Sequence, residues 1–186
     1  IASGAHEAAK AFAEKTQMPV TNTLLGKGAF PEQHRLSVGM LGMHGTAYAN
    51  KAVVGCDLIM CVGARWDDRI TGKLEAFCPD AKKIHVDIDP AELGRSYPIQ
   101  VGLQGDAKAS LRKLIENMEP LGPRAEWVNR AQQLVKDWRD EVAPQVNSNG
   151  SPIRPERLCK EITEYLPPDG VLVVDTGHSG IWAGTM

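Results

Sequence analysis

Three stretches place ligand-binding residue types directly behind segments that read as β-strands. After the apolar run from Asp57 to Val62 comes Gly63-Ala64-Arg65-Trp66-Asp67-Asp68-Arg69. After Lys83–Val86 comes Asp87-Ile88-Asp89-Pro90, and after Gln100–Leu103 comes Gly105-Asp106. In an open parallel sheet, ligands sit beyond the carboxyl ends of the strands. The planar fork of Arg65 suits a phosphate, and Asp87 at the neighbouring strand end suits a ribose hydroxyl or an adenine amine. Together they describe an adenine-nucleotide site. For any one of these charges taken alone, a solvated salt-bridge cluster is an equally good account.

A fourth stretch, Gly39-Met40-Leu41-Gly42-Met43-His44-Gly45-Thr46-Ala47-Tyr48-Ala49-Asn50, spaces its glycines three residues apart before an expected helix. Glycine lets a ligand approach the backbone, and free amides at a helix start receive an anion. The spacing is not G-x-G-x-x-G. Met40, Leu41 and Met43 are also ordinary core residues, and a lone histidine such as His44 is more often a hydrogen-bonded structural one. A fifth stretch, Gly177-His178-Ser179, follows the apolar run Val171–Asp175. It reads either as a diphosphate cradle of amides and hydroxyl or as a plain turn with Ser179 as N-cap.

The elements needed to position these residues alternate between helix and strand. A helix over Ala5–Lys15 leads to a short strand at Pro19–Asn22, and strands follow at 57–63, 83–89 and 100–103. Leu111, Leu114, Ile115 and Met118 share one helical face; Trp127, Ala131, Leu134, Trp138 and Val142 mark a longer helix. Val146-Asn147-Ser148-Asn149-Gly150-Ser151-Pro152 has linker composition, and behind it a helix near Pro155–Leu166 precedes a strand at Val171–Asp175. The expected fold is therefore α/β, a doubly wound, Rossmann-like parallel sheet. Its organisation is expected as a nucleotide-binding domain over 1–119 lacking its first strand, a helical connection and linker over 120–152, and the truncated start of a further domain over 153–186.

Composition narrows the partners. The 186 residues include 42% hydrophobic and 24% charged residues with a net charge of −2, so there is no basic excess for a nucleic acid backbone. No apolar run approaches the ~18–20 residues of a membrane span. The four cysteines show no C-x-x-C pairing and are expected to be reduced. A cytoplasmic or organelle-matrix setting is expected.

Four phrases in order, Thr23–Pro31, Gly39–Asn50, Val62–Leu74 and His85–Glu92, closely resemble the catalytic subunit of the acetohydroxyacid (acetolactate) synthase family of thiamine-diphosphate-dependent enzymes. The resemblance implies a three-domain chain with an FAD-binding middle domain, of which this sequence holds the middle domain and the start of the C-terminal one. By that resemblance Leu41, Gly42, Met43, His44 and Gly45 run along the flavin, and Gly63, Ala64, Arg65, Trp66 and Asp67 approach the phosphates and ribityl chain. Asp87, Ile88, Gly105 and Asp106 surround the adenosine, and Gly177, His178 and Ser179 meet thiamine diphosphate. The implied reaction joins two pyruvates, or pyruvate and 2-ketobutyrate, with loss of carbon dioxide, and the flavin does no net redox work in it.

Implied with it are Mg²⁺, a homodimer and a small regulatory subunit, while the activating glutamate and the metal ligands are expected outside this sequence. The family usually has G-Q-H-Q-M-W where this chain has Gly177-His178-Ser179-Gly180-Ile181-Trp182, and commonly has phenylalanine where Trp66 stands. Another thiamine-dependent carboligase, a 2-ketoacid decarboxylase, and a non-catalytic adenine-nucleotide-binding module remain as alternatives.

Overall fold

The computed structural model describes residues 1–119, 121–167 and 169–186. Helix α1 (His6–Thr16) leads to strand β1 (Val20–Asn22) and, past a 3₁₀ turn, to β2 (Ser37–Met40). Then come α2 (Ala47–Val54), β3 (Leu58–Val62), the four-residue α3 (Asp68–Thr71), β4 (Lys82–Asp87), β5 (Val101–Gln104) and α4 (Ala107–Asn117). Three helices close the chain: α5 (Ala125–Val146), α6 (Pro155–Tyr165) and α7 (His178–Thr185). Pro120, where the helical connection was expected to begin, lies outside the described residues.

All strand pairings among the described residues are parallel. β1 pairs with β2, and β3, β4 and β5 pair in that order, with Val62 opposite Val86 and Asp87 opposite Gln104. Helices cover both faces, as β3 makes plain. Ile59 and Cys61 pack with Ala49 and Val53 of α2, while Met60 and Val62 pack with Ala5 just before α1, Ala8 of α1 and Leu111 of α4. A strand packed against helices on both sides has no polar face to alternate with, which is why Leu58–Val62 is a continuous apolar run. This is the doubly wound α/β arrangement expected from the sequence.

The chain winds outward from β1 to β2, then from β3 through β4 to β5. β1 and β3 are not hydrogen-bonded to each other; an apolar cavity of about 180 Å³ lies between them, with Phe12 of α1 and Val53 of α2 in its lining. The winding thus reverses at the β1/β3 crevice, where open α/β sheets hold ligands.

Two expectations need correction. Gly39 and Met40, read as the opening of the glycine-spaced stretch before a helix, belong to a strand, Ser37–Met40, with Val38 and Met40 each 3% exposed. Its signal is masked by Gly39, which has φ 71° and sits where β2 uses three residue steps, Ser37 to Met40, against two on β1, Val20 to Asn22. That is a β-bulge, for which glycine supplies the left-handed backbone, and a side chain there would strike the Tyr48 ring. Conversely, Val171–Asp175 forms no strand: Val171 and Val173 are exposed, and the run finds no ladder partner among the described residues. Apolar β-branched composition is insufficient without a neighbouring backbone to bond.

In α5, Val128, Ala131 and Val135 are buried against Phe30, Leu36 and Val38, with Trp138 flanking the stripe 5.2 Å from Tyr48. No described helix is long and apolar enough to cross a membrane.

Candidate functional site

The carboxyl ends of β1 and β3 open into one cavity of about 640 Å³, within the ~300–1,000 Å³ typical of small-molecule sites. Residues 21–26 form one side, residues 59–67 another, and Ile1, Ala29, Leu41, Arg69 and Ile70 complete the lining.

The turn after β3 is pinned from beneath. Gly63, at φ 61°, donates its N–H to the Val86 carbonyl at 2.8 Å. The Ala64 carbonyl accepts from the Cys61 thiol at 2.8 Å and lies 3.0 Å from His85 Nε2. Trp66 is buried, its ring 4.8 Å from that of His85 and 6.1 Å from that of Tyr97. With Trp66 held inward, Arg65 between the two fixed residues projects outward, its side chain 65% exposed and 3.7 Å from Asp67. Asp67 also caps α3, accepting the Arg69 N–H at 3.1 Å. The guanidinium is thus free to meet a phosphate while its backbone is fixed. Burial pushes the Cys61 thiol up to about 12, so it serves packing, not chemistry.

The glycine loop closes against the same wall. Leu41 donates to the Asn22 carbonyl at 3.2 Å and Met43 to the Arg69 carbonyl at 2.7 Å. Gly42, at φ 100°, exchanges bonds with the Asn50 side chain at 2.9 and 3.0 Å, and a Cβ there would sit 2.7 Å from the Arg69 carbonyl oxygen. Gly45 has no room for a side chain beside the Met40 carbonyl. Thr46 caps α2.

Of the residues singled out on sequence, Leu41, Gly63, Ala64, Arg65, Trp66 and Asp67 line the cavity together. Gly42 abuts its wall, whereas Met43, His44 and Gly45 continue along a loop outside the lining, with Met43 and His44 exposed. Asp87, Ile88, Gly105 and Asp106 extend the row of strand ends without entering the cavity. Gly105 donates to the Asp87 carbonyl at 2.9 Å, the Asp87 carboxylate accepts from Asp89 N–H at 2.9 Å, and Ile88 is exposed. Asp106 is the N-cap of α4, accepting from Ala109 at 3.0 Å.

Gly177, His178 and Ser179 lie apart, exposed, at the start of α7. Ser179 is not the N-cap there: Gly177 holds that place at φ 106°, and the Ser179 hydroxyl lies 3.3 Å from the Asp175 carbonyl, to which it donates. A glycine cap leaves the first-turn amides without a side-chain acceptor.

Residues 21–26 were missed as a site. Their signal was available, because they follow β1 as the recognised residues follow β3. Asn22 is the most telling: it is 5% exposed, and its side-chain Nδ2 has no partner among the described residues. A buried, unsatisfied donor costs ~1–3 kcal/mol and calls for an acceptor. The cavity therefore offers apolar walls in Leu24, Leu25, Leu41 and Ile70, one unpartnered amide donor, and exposed guanidinium groups. These features fit a nucleotide that carries a large flat ring at one end and phosphates at the other.

The family of the thiamine pyrophosphate enzyme central domain matches residues 1–114. The chain belongs to that family. It is 43% identical over 186 residues to the acetolactate synthase large subunit of Parasynechococcus marenigrum, covering 98% of this chain and 29% of that protein. To the probable acetolactate synthase large subunit of Methanocaldococcus jannaschii it is 39% identical over 190 residues, covering 98% and 32%. To that of Corynebacterium glutamicum it is 36% identical over 184 residues, covering 98% and 29%. The chain spans about a third of the length of these curated relatives. The central-domain match and the doubly wound sheet agree, since it is the sheet's reversal that creates the cavity.

Proposed function

We propose that this chain is the nucleotide-binding central part of an acetolactate synthase large subunit. The reaction would condense two pyruvates, or pyruvate and 2-ketobutyrate, with loss of carbon dioxide, making the parent polypeptide a transferase. The carrying observation is the convergence of Asn22, Leu41, Arg65 and Trp66 on one cavity at the reversal of a parallel sheet. Matches along nearly the whole chain to proteins bearing that name support it.

FAD is the ligand this cavity supports best. Arg65 would hold the diphosphate, Leu41 and Leu24 would flank the ring system, and Asn22 would give its orphaned N–H to a ring carbonyl or nitrogen. Asp87 and Gly105 extend the strand-end row on the side proposed for the adenosine. Thiamine diphosphate would supply the electron sink of the reaction, and the uncapped start of α7 at Gly177, His178 and Ser179 offers amides to its diphosphate. Support for Mg²⁺, a homodimer and a small regulatory subunit comes from the family resemblance alone.

The test is acetolactate formation by the complete parent polypeptide with pyruvate, thiamine diphosphate and magnesium, with and without FAD. FAD-dependent acetolactate is the expected result. Aldehyde as product would replace the synthase by a decarboxylase, and nucleotide binding without turnover would leave a binding module.

A further inference from the structure

Cys56 and Cys78, separated by 21 intervening residues, are brought together at the amino-terminal side of β3 and β4, opposite the cavity. The cause is the ladder itself. Lys82 donates its N–H to the Asp57 carbonyl at 2.8 Å, clasping the residues just before the two strands. Cys56 follows the Gly55 cap of α2, and Cys78 opens the turn that closes through Ala81 N–H to the Cys78 carbonyl at 3.2 Å. The two side chains belong to one packed cluster with Ala81 and Phe77, Cys78 in its buried centre and Cys56 packed against it.

Two further features single out Cys78. Its backbone lies in the left-handed region at φ 36°, a strained conformation for a non-glycine residue that persists only where the surroundings impose it. The buried Lys83 ammonium donates to the Cys78 carbonyl at 3.0 Å and the Ala81 carbonyl at 2.7 Å. The hydrogen bond from Cys56, aided by the Lys83 charge, holds the Cys78 thiol below its ordinary range. The same contact and burial push the Cys56 thiol up. Access is one-sided: Cys78 is fully buried and Cys56 part-exposed.

We propose that Cys56 and Cys78 form a redox-responsive dithiol, oxidised to an intramolecular disulfide by a low-molecular-weight disulfide and restored by a dithiol reductant. A shift of the shared proton along the contact places the thiolate on the accessible Cys56. Its sulfur attacks the reagent disulfide, whose S–S bond breaks; a mixed disulfide forms on Cys56 and one thiolate leaves. That thiolate takes up the proton now on Cys78, the Cys78 sulfur attacks Cys56, and the second reagent thiolate departs and is protonated from water. One protein thiol, one protein thiolate, one reagent disulfide and a proton from water thus become one protein disulfide and two reagent thiols, with two electrons passing to the reagent. The bond would staple the end of α2 to the turn before β4.

The test uses the complete parent polypeptide, treated with oxidised glutathione or with dithiothreitol, then alkylated in denaturant, digested and mapped by mass spectrometry. The expected result is a Cys56–Cys78 linked peptide pair that dithiothreitol abolishes, with Cys61 alkylated in both samples. A Cys78→Ser variant should instead accumulate glutathione on Cys56, because nothing resolves the mixed disulfide. Full alkylation of both residues after oxidant, or stable glutathione on Cys56 in the unsubstituted protein, would overturn the proposal. Should Cys78→Ser not fold, the mapping of the unsubstituted protein decides by itself.

Discussion

The Met43 N–H donates to the Arg69 carbonyl at 2.7 Å, joining the glycine loop after β2 to the segment after β3 across 26 residues of sequence. This bond sets how closely the two loops approach, and Gly42 sits at the closest point. Replacing Gly42 with alanine puts a methyl group 2.7 Å from the same carbonyl oxygen in a backbone at φ 100°. The expected loss is about 1–3 kcal/mol, measurable by denaturant unfolding. A change within experimental error would mean that the loops part freely.

Arg65 and His178 separate two ligand ends. Arg65→Ala should weaken FAD binding to the parent protein about 10-fold or more, as loss of a charge-assisted contact of ~1.5–3 kcal/mol implies. His178→Ala should leave it nearly unchanged, because His178 lies outside the cavity. Equal losses, read by flavin fluorescence titration, would remove the assignment of Arg65 to the nucleotide phosphates.

Asn22 offers a test of opposite signs. Its buried Nδ2 has no partner among the described residues, so Asn22→Leu removes an unsatisfied donor and should hold or raise stability without nucleotide. The same change should lower flavin affinity. Thermal unfolding with and without FAD measures both, and a variant that binds FAD normally would assign Asn22 to the fold alone.

Asp106 distinguishes capping from ligand contact. Its carboxylate accepts from Ala109 at the start of α4, so Asp106→Ala should cost ~1 kcal/mol of stability while Asp106→Asn retains most of it. An Asn variant with full stability but impaired nucleotide affinity would add a ligand role to the cap.

The Arg154–Glu156 pair, with contacts at 3.1 and 3.3 Å, holds the Glu156 carboxyl below its ordinary range. A depressed folded value means that this stabilisation is present above the unfolded carboxyl range, ~4.3, and is lost as pH falls through the folded value. Wild type should therefore lose more stability on acidification than Glu156→Gln. Parallel acid-unfolding curves would show that the pair contributes nothing.

Residue order alone disclosed the alternation of helix and strand, the two-sided burial of Leu58–Val62, and the polar segments behind the strands. These depend on local periodicity and on turn chemistry, which neighbours along the chain express directly. The family phrases carried the likeness to thiamine-dependent synthases for the same reason. β2 escaped notice because the bulge at Gly39 interrupts its alternation, and Val171–Asp175 read as a strand because composition does not reveal whether a partner backbone is present.

Tertiary structure alone decided which strand ends share a cavity. Asn22 and Arg65 meet because the winding reverses between β1 and β3, while Asp87 and Asp106, equally prominent in the sequence, fall beside the cavity. It also brought Cys56 to Cys78 through the parallel register of β3 and β4. Such meetings depend on sheet order and register, which are set by packing between residues far apart in the chain and leave no periodic trace within either segment.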